Sequence, residues 1–157
     1  MIAPQLISSE VLQNWLEQAG TEYYLCSHCD GLHLRSLQDT KGVIDSRLFL
    51  EEFGLLLTTE LELRPSAVLA VNADLGRVNM DYPTLKVFLD MVDDALPQLV
   101  VAGNLPIGTH LNGEQFMHFI ATTVDATAHL VASCGQLGYL YGEDDAAVES
   151  PGGTLLH

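Results

Sequence analysis

The sequence predicts an α+β fold in which three helices pack on an antiparallel, twisted sheet. Three observations lead to this prediction. Apolar residues recur at helical spacing in some segments, they alternate with polar residues in others, and the alternating segments are joined by short, turn-like connections. The order is helix, several strands, helix, two strands, helix, which is typical of helices on an antiparallel sheet. With 157 residues, 48% of them hydrophobic, the chain is long enough for one sizeable core.

The first helix is predicted over residues 9–19. Ser8 and Ser9 offer an N-cap, and Gly20 supplies the left-handed residue at which helices commonly stop. One helical stripe is apolar or small: Val11, Leu12, Trp15, Leu16 and Ala19. This stripe should face the core.

Four strands are predicted after this helix, and the breaks between them contain the Gly and Asp residues of turns. They are Glu22–Cys26, Leu32–Leu37, Val43–Leu50 and Gly54–Leu63. In the last of them, apolar Leu57, Leu61 and Leu63 alternate with polar residues, the period of a strand with one wet face. Short connections favour an antiparallel meander.

A second helix is predicted over about 65–79, since Pro65 suits a first helical turn. The strands Thr84–Met91 and Gln98–Ala102 should follow. Asn112 then caps the longest helix, with Gln115 placed for a capping box. Its core face is predicted to contain Phe116, Phe119, Ile120, Thr123, Val124, Thr127, Leu130 and Val131. We expect one domain over residues 1–140 and a flexible, acidic tail over 141–157.

The charge of the chain excludes several classes of ligand. Six Lys and Arg stand against 21 Asp and Glu, for a net charge of −15, and no Lys or Arg follows Lys86. Binding to nucleic acid or to an anionic membrane requires clustered cations, so neither is expected. The acidity indicates either simple solubility or a surface for basic or unfolded protein partners.

The absence of long apolar runs predicts a soluble protein. No run approaches the ~20 residues that a membrane-spanning helix needs. The first residues, MIAPQLISSE, contain no Lys or Arg ahead of an apolar core, so they do not look like a secretory signal. We therefore expect a cytoplasmic protein. Three cysteines, an odd number, argue against a disulfide framework.

Cys26, Cys29 and His33 form the most distinctive motif, and three interpretations of it stay open. The first is half of a zinc site, because structural zinc takes four ligands and no second pair is evident. The second is a redox dithiol, although such pairs usually lie at a helix N-terminus and this one is predicted in a loop. The third, which we favour, is a turn between strands in which the cysteines act as small apolar side chains. No cofactor is therefore expected.

Catalytic residues are not predicted anywhere. No nucleophile motif or phosphate-binding loop is present, and the stripe of Glu114, His118, Asp125 and His129 on the last helix reads as a solvated face. We expect a protein that is not an enzyme.

Surplus apolar residues on the second helix and the following strand predict an interface. They occur on more than one side of each element: Val68, Val71, Leu75, Leu85, Val87, Phe88, Leu89 and Met91. A fully covered core would explain them. The alternative, which we favour, is that these residues form the interface, or seam, of a homodimer.

Four segments give the chain a resemblance to a known family. WLEQAGTEYYLCSHCDGLHL, RPSAVLAVNADLGRVN, LKVFLDMVDDALPQLVV and EQFMHF resemble the YbjN family of enterobacterial regulators, which includes AmyR-like proteins. The resemblance covers nearly the whole chain. It implies a fold similar to that of class I chaperones of type III secretion.

The resemblance also implies a function. It implies a stress- and virulence-associated negative regulator of exopolysaccharide production, with effects on motility and fimbriae, that acts through protein contacts without catalysis. An alternative, consistent with the size and acidity of the chain, is a secretion chaperone that holds an unfolded effector segment.

Overall fold

A computed structural model describes residues 5–142 as a six-stranded antiparallel sheet with three helices. The strands are β1 (Gln5–Leu6), β2 (Tyr23–Tyr24), β3 (Leu32–Leu34), β4 (Val43–Glu51), β5 (Gly54–Glu62), β6 (Lys86–Asp90), β7 (Gln98–Pro106) and β8 (His110–Leu111). The helices are α1 (Ser9–Gln18), α2 (Val68–Asp81) and α3 (Gly113–Gln136). The sheet runs β2-β3-β4-β5-β7-β6, and β1 pairs separately with β8. The predicted α+β class is confirmed.

The ends of the helices follow the predicted capping chemistry. The side chain of Ser8 accepts a hydrogen bond from the backbone N–H of Val11 at the start of α1. Asn112 and Gln115 form a complete capping box at the start of α3. The second helix is preceded by one 3₁₀ turn, Pro65–Ala67, because proline fixes the chain at a first turn and has no N–H to donate.

One face of the sheet carries the core. Alternate residues of β5, such as Leu55, Leu57 and Leu61, are buried toward the helices, while their neighbours point to the opposite face. We call that opposite face the outer face. The helices pack on the inner face of the sheet and form two apolar clusters with it. α1 and α3 contribute to the first cluster, which contains Trp15 and Phe116, and α2 and α3 contribute to the second, which contains Val71.

α3 approaches the sheet very closely at Gly103 of β7. A Cβ atom at this position would lie 2.5 Å from Cγ2 of Thr123. Gly103 lies on the inner face of the sheet, and Thr123 of α3 packs against it and is buried, as predicted for the core face of this helix. The missing side chain of Gly103 therefore sets the distance between the longest helix and the sheet.

Asn79 joins α2 to β6. Its Oδ1 accepts a hydrogen bond from the backbone N–H of Val87 (2.9 Å), and its Nδ2 donates to the carbonyl of Val87 (3.0 Å) and to that of Leu75 (2.9 Å). On its other side Val87 faces Val101 of β7. The side chain of Asn79 thus fixes α2 beside β6, the edge strand of the sheet.

The structure differs from the predictions mainly in strand length. β2 and β3 are shorter than predicted, and β7 continues past Ala102 to Pro106 because residues 103–106 pair with β5. The short β1–β8 pair was not anticipated. Residues 143–157, most of the predicted acidic tail, lie outside the described residues. The likeness to secretion chaperones stays a prediction.

Candidate functional site

The hairpin formed by β2 and β3 brings Cys26, Cys29 and His33 together. One ligand atom from each lies within 4.8 Å of the others. The two sulfur atoms are 3.3 Å apart and both thiols are free, while Sγ of Cys29 is 3.4 Å from Nε2 of His33. Both cysteines are half-buried in the loop, and His33 is buried on β3. We call these three residues the Cys-Cys-His cluster.

Asp45 of β4 holds the imidazole of His33 in one orientation. Its two carboxylate oxygens lie 3.1 and 3.0 Å from Nδ1 of His33, so Nε2 faces the sulfur atoms. The ring of Tyr24 stacks on the imidazole with a centroid distance of 4.5 Å. Gln38 donates hydrogen bonds to both Tyr24 and Asp45. The histidine is thus clamped on one side by a carboxylate and on another by an aromatic ring.

Arg47 lies next to this cluster because the register of β3 and β4 pairs it with His33. Its guanidinium forms an ion pair with Glu60, and Nε stands 3.9 Å from Asp45. Burial lowers the pKa of Arg47, but the ion pair with Glu60 and the contacts with Cys29 and Asp45 raise it by more than burial lowers it. The pKa of Arg47 is therefore raised overall. A cation therefore stands close to the cysteine pair.

The environment favours the thiolate form of one cysteine. The backbone N–H of His28 donates to Sγ of Cys26 (3.4 Å), and this bond, with contacts to Cys29 and His33, lowers the pKa of Cys26 to about 6. Burial lowers the pKa of His33, while hydrogen bonds to Cys26 and Asp45 raise it more. In contrast, burial raises the pKa of Cys134 to about 11. The surroundings of Cys26 therefore favour the thiolate form that a nucleophile or a metal ligand requires, whereas Cys134 is a core residue.

The predicted seam residues divide into core and surface. Val71, Leu85 and Val87 are buried within the chain. Val68, Leu75 and Leu89 are half-buried, whereas Phe88 and Met91 are exposed. Further exposed apolar side chains stand on or near the same elements: Leu69, Met80 and Val92. The surface available for association is thus formed by these exposed residues, and the seam itself stays a prediction.

A groove of about 1020 Å³ opens beside the end of β7. Its walls include Phe53 and Leu56 of the β4–β5 hairpin, Phe88 of β6, and Phe119 of α3. Pairing between β6 and β7 ends at Lys86 and Ala102, so residues 103–106 pair with β5 alone within the described sheet. No pattern in the sequence indicates this groove, which arises because β7 extends past the end of β6.

The stripe on α3 agrees with its predicted solvation. Glu114, His118, Asp125 and His129 are all exposed. Among residues 5–142, no helix combines the length and the apolar character that crossing a membrane requires.

Comparison with known proteins gives a consistent result. Residues 8–136 match the family model of YbjN, described as "Putative bacterial sensory transduction regulator". The chain is 35% identical over 136 residues to YbjN of Escherichia coli K12 and to YbjN of Shigella flexneri, covering 87% of this chain and 86% of theirs.

A solved structure agrees with the sequence comparison. The crystal structure of YbjN from E. coli, described there as "a putative transcription regulator", superposes with a TM-score of 0.85 at 32% identity. The match covers 89% of this chain and 99% of that one. The sequence, the fold and the family model together show that this chain belongs to the YbjN family.

Proposed function

We propose that this chain is a cytoplasmic, non-enzymatic regulator that acts by binding proteins. In line with the resemblance, it would restrain exopolysaccharide production and affect motility and fimbriae. The observation that carries the proposal is the exposure of large apolar side chains on α2 and directly after β6, where Leu69 is 83%, Met80 74% and Met91 62% exposed. Exposed apolar side chains grouped on neighbouring elements are a feature of protein interfaces.

The partner that we propose for this surface is a second copy of the chain. α2 and β6 are fixed to one another by Asn79, so they present a preformed surface to a partner. A preformed surface loses less conformational entropy on association than a mobile one. Because each copy carries a charge of −15, added salt should strengthen the dimer by screening the repulsion between copies.

Replacement of Met80 or Met91 by Glu should convert the dimer to monomer. Each substitution would place a carboxylate in an apolar contact, and burial of an unpaired charge costs several kcal/mol, so the dissociation constant should rise by more than about 100-fold. Sedimentation equilibrium at two salt concentrations measures this directly. Phe53→Glu is the matched control, since Phe53 is also exposed but lies on the β4–β5 hairpin. A monomeric wild type, or an unchanged dimer mass in both variants, would contradict the placement.

A secretion chaperone is the second candidate, and the groove beside β7 favours it. An extended apolar segment could pair with residues 103–106 and place its side chains against Leu56, Phe88 and Phe119. Binding of a labelled, extended apolar peptide, followed by fluorescence anisotropy, tests this. Phe53→Glu should abolish peptide binding and leave the dimer intact. Met91→Glu should abolish the dimer and leave peptide binding intact. Peptide binding that Phe53→Glu leaves intact would remove this candidate.

A further inference from the structure

We propose that Cys26, Cys29 and His33 bind one zinc ion per chain and leave its fourth coordination position open. Two thiolates and an imidazole are ligands that zinc prefers among the common divalent metals. Three protein ligands with one free position are typical of zinc sites at which water or an incoming group completes the shell. This inference does not depend on the proposed function.

The distances within the cluster already approach those of a tetrahedral site. With Zn–S bonds of about 2.3 Å and Zn–N bonds of about 2.0 Å, tetrahedral ligands stand about 3.8 Å (S to S) and about 3.5 Å (S to N) apart. The observed separations are 3.3 Å between the sulfur atoms and 3.4 Å between Cys29 and His33. The three ligand atoms all lie within 4.8 Å of one another, so the widest separation, between Cys26 and His33, would have to shorten by up to about 1 Å. Rotation of the Cys26 side chain in its half-buried loop would admit the ion.

The surroundings of the ligands are those of a metal site. A ligating histidine usually donates its second ring nitrogen to a carboxylate, which fixes the tautomer and the ring orientation. Both carboxylate oxygens of Asp45 accept this hydrogen bond from Nδ1 of His33. The N–H of His28 points at the sulfur of Cys26, and hydrogen bonds of this kind stabilise a metal-bound thiolate. A turn that merely buried two thiols would need neither arrangement.

Local charge also favours a dication. With both thiols deprotonated, the negative groups are Cys26, Cys29, Asp45 and Glu60, and only Arg47 directly opposes them within the described contacts. Zinc would neutralise the two thiolates and leave the His33–Asp45 and Arg47–Glu60 pairs in place. The half-buried position of both cysteines leaves the fourth position open to solvent or to a partner's donor atom.

The test is a cobalt and zinc titration of the full chain, reduced and stripped with a chelator. Cobalt should give thiolate-to-metal charge-transfer bands and the intense visible bands of tetrahedral coordination, saturate at one equivalent, and be displaced by zinc. Zinc should raise the melting temperature. Cys26→Ser and His33→Gln should lose these signals, whereas Cys134→Ala and His118→Gln, the matched thiol and imidazole controls, should keep them. Circular dichroism of each variant establishes that it is folded.

Two results would overturn the proposal. The first is a wild type that binds no metal, including one whose cysteine pair simply oxidises to a disulfide. The second is binding that survives in both Cys26→Ser and His33→Gln.

Asp45→Asn tests the positioning role with a variant of nearly the same shape. It should keep the stoichiometry and the tetrahedral spectrum but weaken zinc affinity by about 10–100-fold. Unchanged affinity in this variant would show that Asp45 is a structural partner of His33 and does not support a metal.

Discussion

Replacement of Gly54 by Ala should destabilise the fold by at least about 4 kcal/mol. Gly54 begins β5 with φ at +145°, a conformation that residues with a side chain rarely adopt. Its missing Cβ would lie 2.1 Å from the carbonyl oxygen of Leu105 and 2.8 Å from the N–H nitrogen of Ile107. Both are backbone atoms at the end of β7 and of the residue that follows it, so no rotation of a side chain relieves the clash, and the end of β7 must separate from β5.

Urea denaturation followed by circular dichroism measures this loss. Gly108→Ala is the matched control, since a Cβ there meets no atom within 4 Å and its φ is not in the positive region. The control should remain within about 0.5 kcal/mol of wild type. A Gly54→Ala protein as stable as the control would show that β5 and β7 do not approach as closely as described.

Replacement of Phe116 by Ala should cost about 3–5 kcal/mol, the range for removal of a buried aromatic ring. Phe116 is completely buried, and its ring lies 5.5 Å from that of Trp15, so it joins α3 to α1 over the inner face of the sheet. The cavity left behind is bounded by residues of several elements, which limits its collapse.

The matched control for this prediction is Phe53→Ala. Phe53 is 48% exposed, so the same change in volume should cost less than about 1 kcal/mol in chemical denaturation. Equal losses in the two variants would mean that Phe116 does not occupy the core.

The sequence was most informative where local signals agreed with the tertiary fold. Ser8 and Asn112 cap their helices as predicted, and seven of the eight core positions predicted on α3 are buried, with Val124 partly so. The end of β7 was missed because Gly103 and Pro106 are typical of loops. Its strand conformation depends on pairing with β5, and Gly103 is required by the close approach of α3.

The candidate site was only partly predictable. The spacing of Cys26, Cys29 and His33 indicates a cluster, but the sequence favours a simple turn because no fourth ligand is evident. Asp45 could not be assigned to it, since its approach to His33 depends on the register of β3 against β4. The one available signal was the alternation of Asp45 and Arg47 with buried residues in β4, which places both on the outer face with His33.

The amide of Asn79 has a consequence for aggregation. An exposed strand edge, with its unpaired N–H and C=O groups, is a template on which strands of other molecules polymerise. The edge of β6 that faces away from β7 is occupied at Val87 by the side-chain amide of Asn79, which offers the same donor and acceptor as a peptide group. A neighbouring molecule cannot extend the sheet there without displacing α2. Association on this side must therefore use side-chain packing, and a concentrated solution is protected against growth of a continuous intermolecular sheet from this edge.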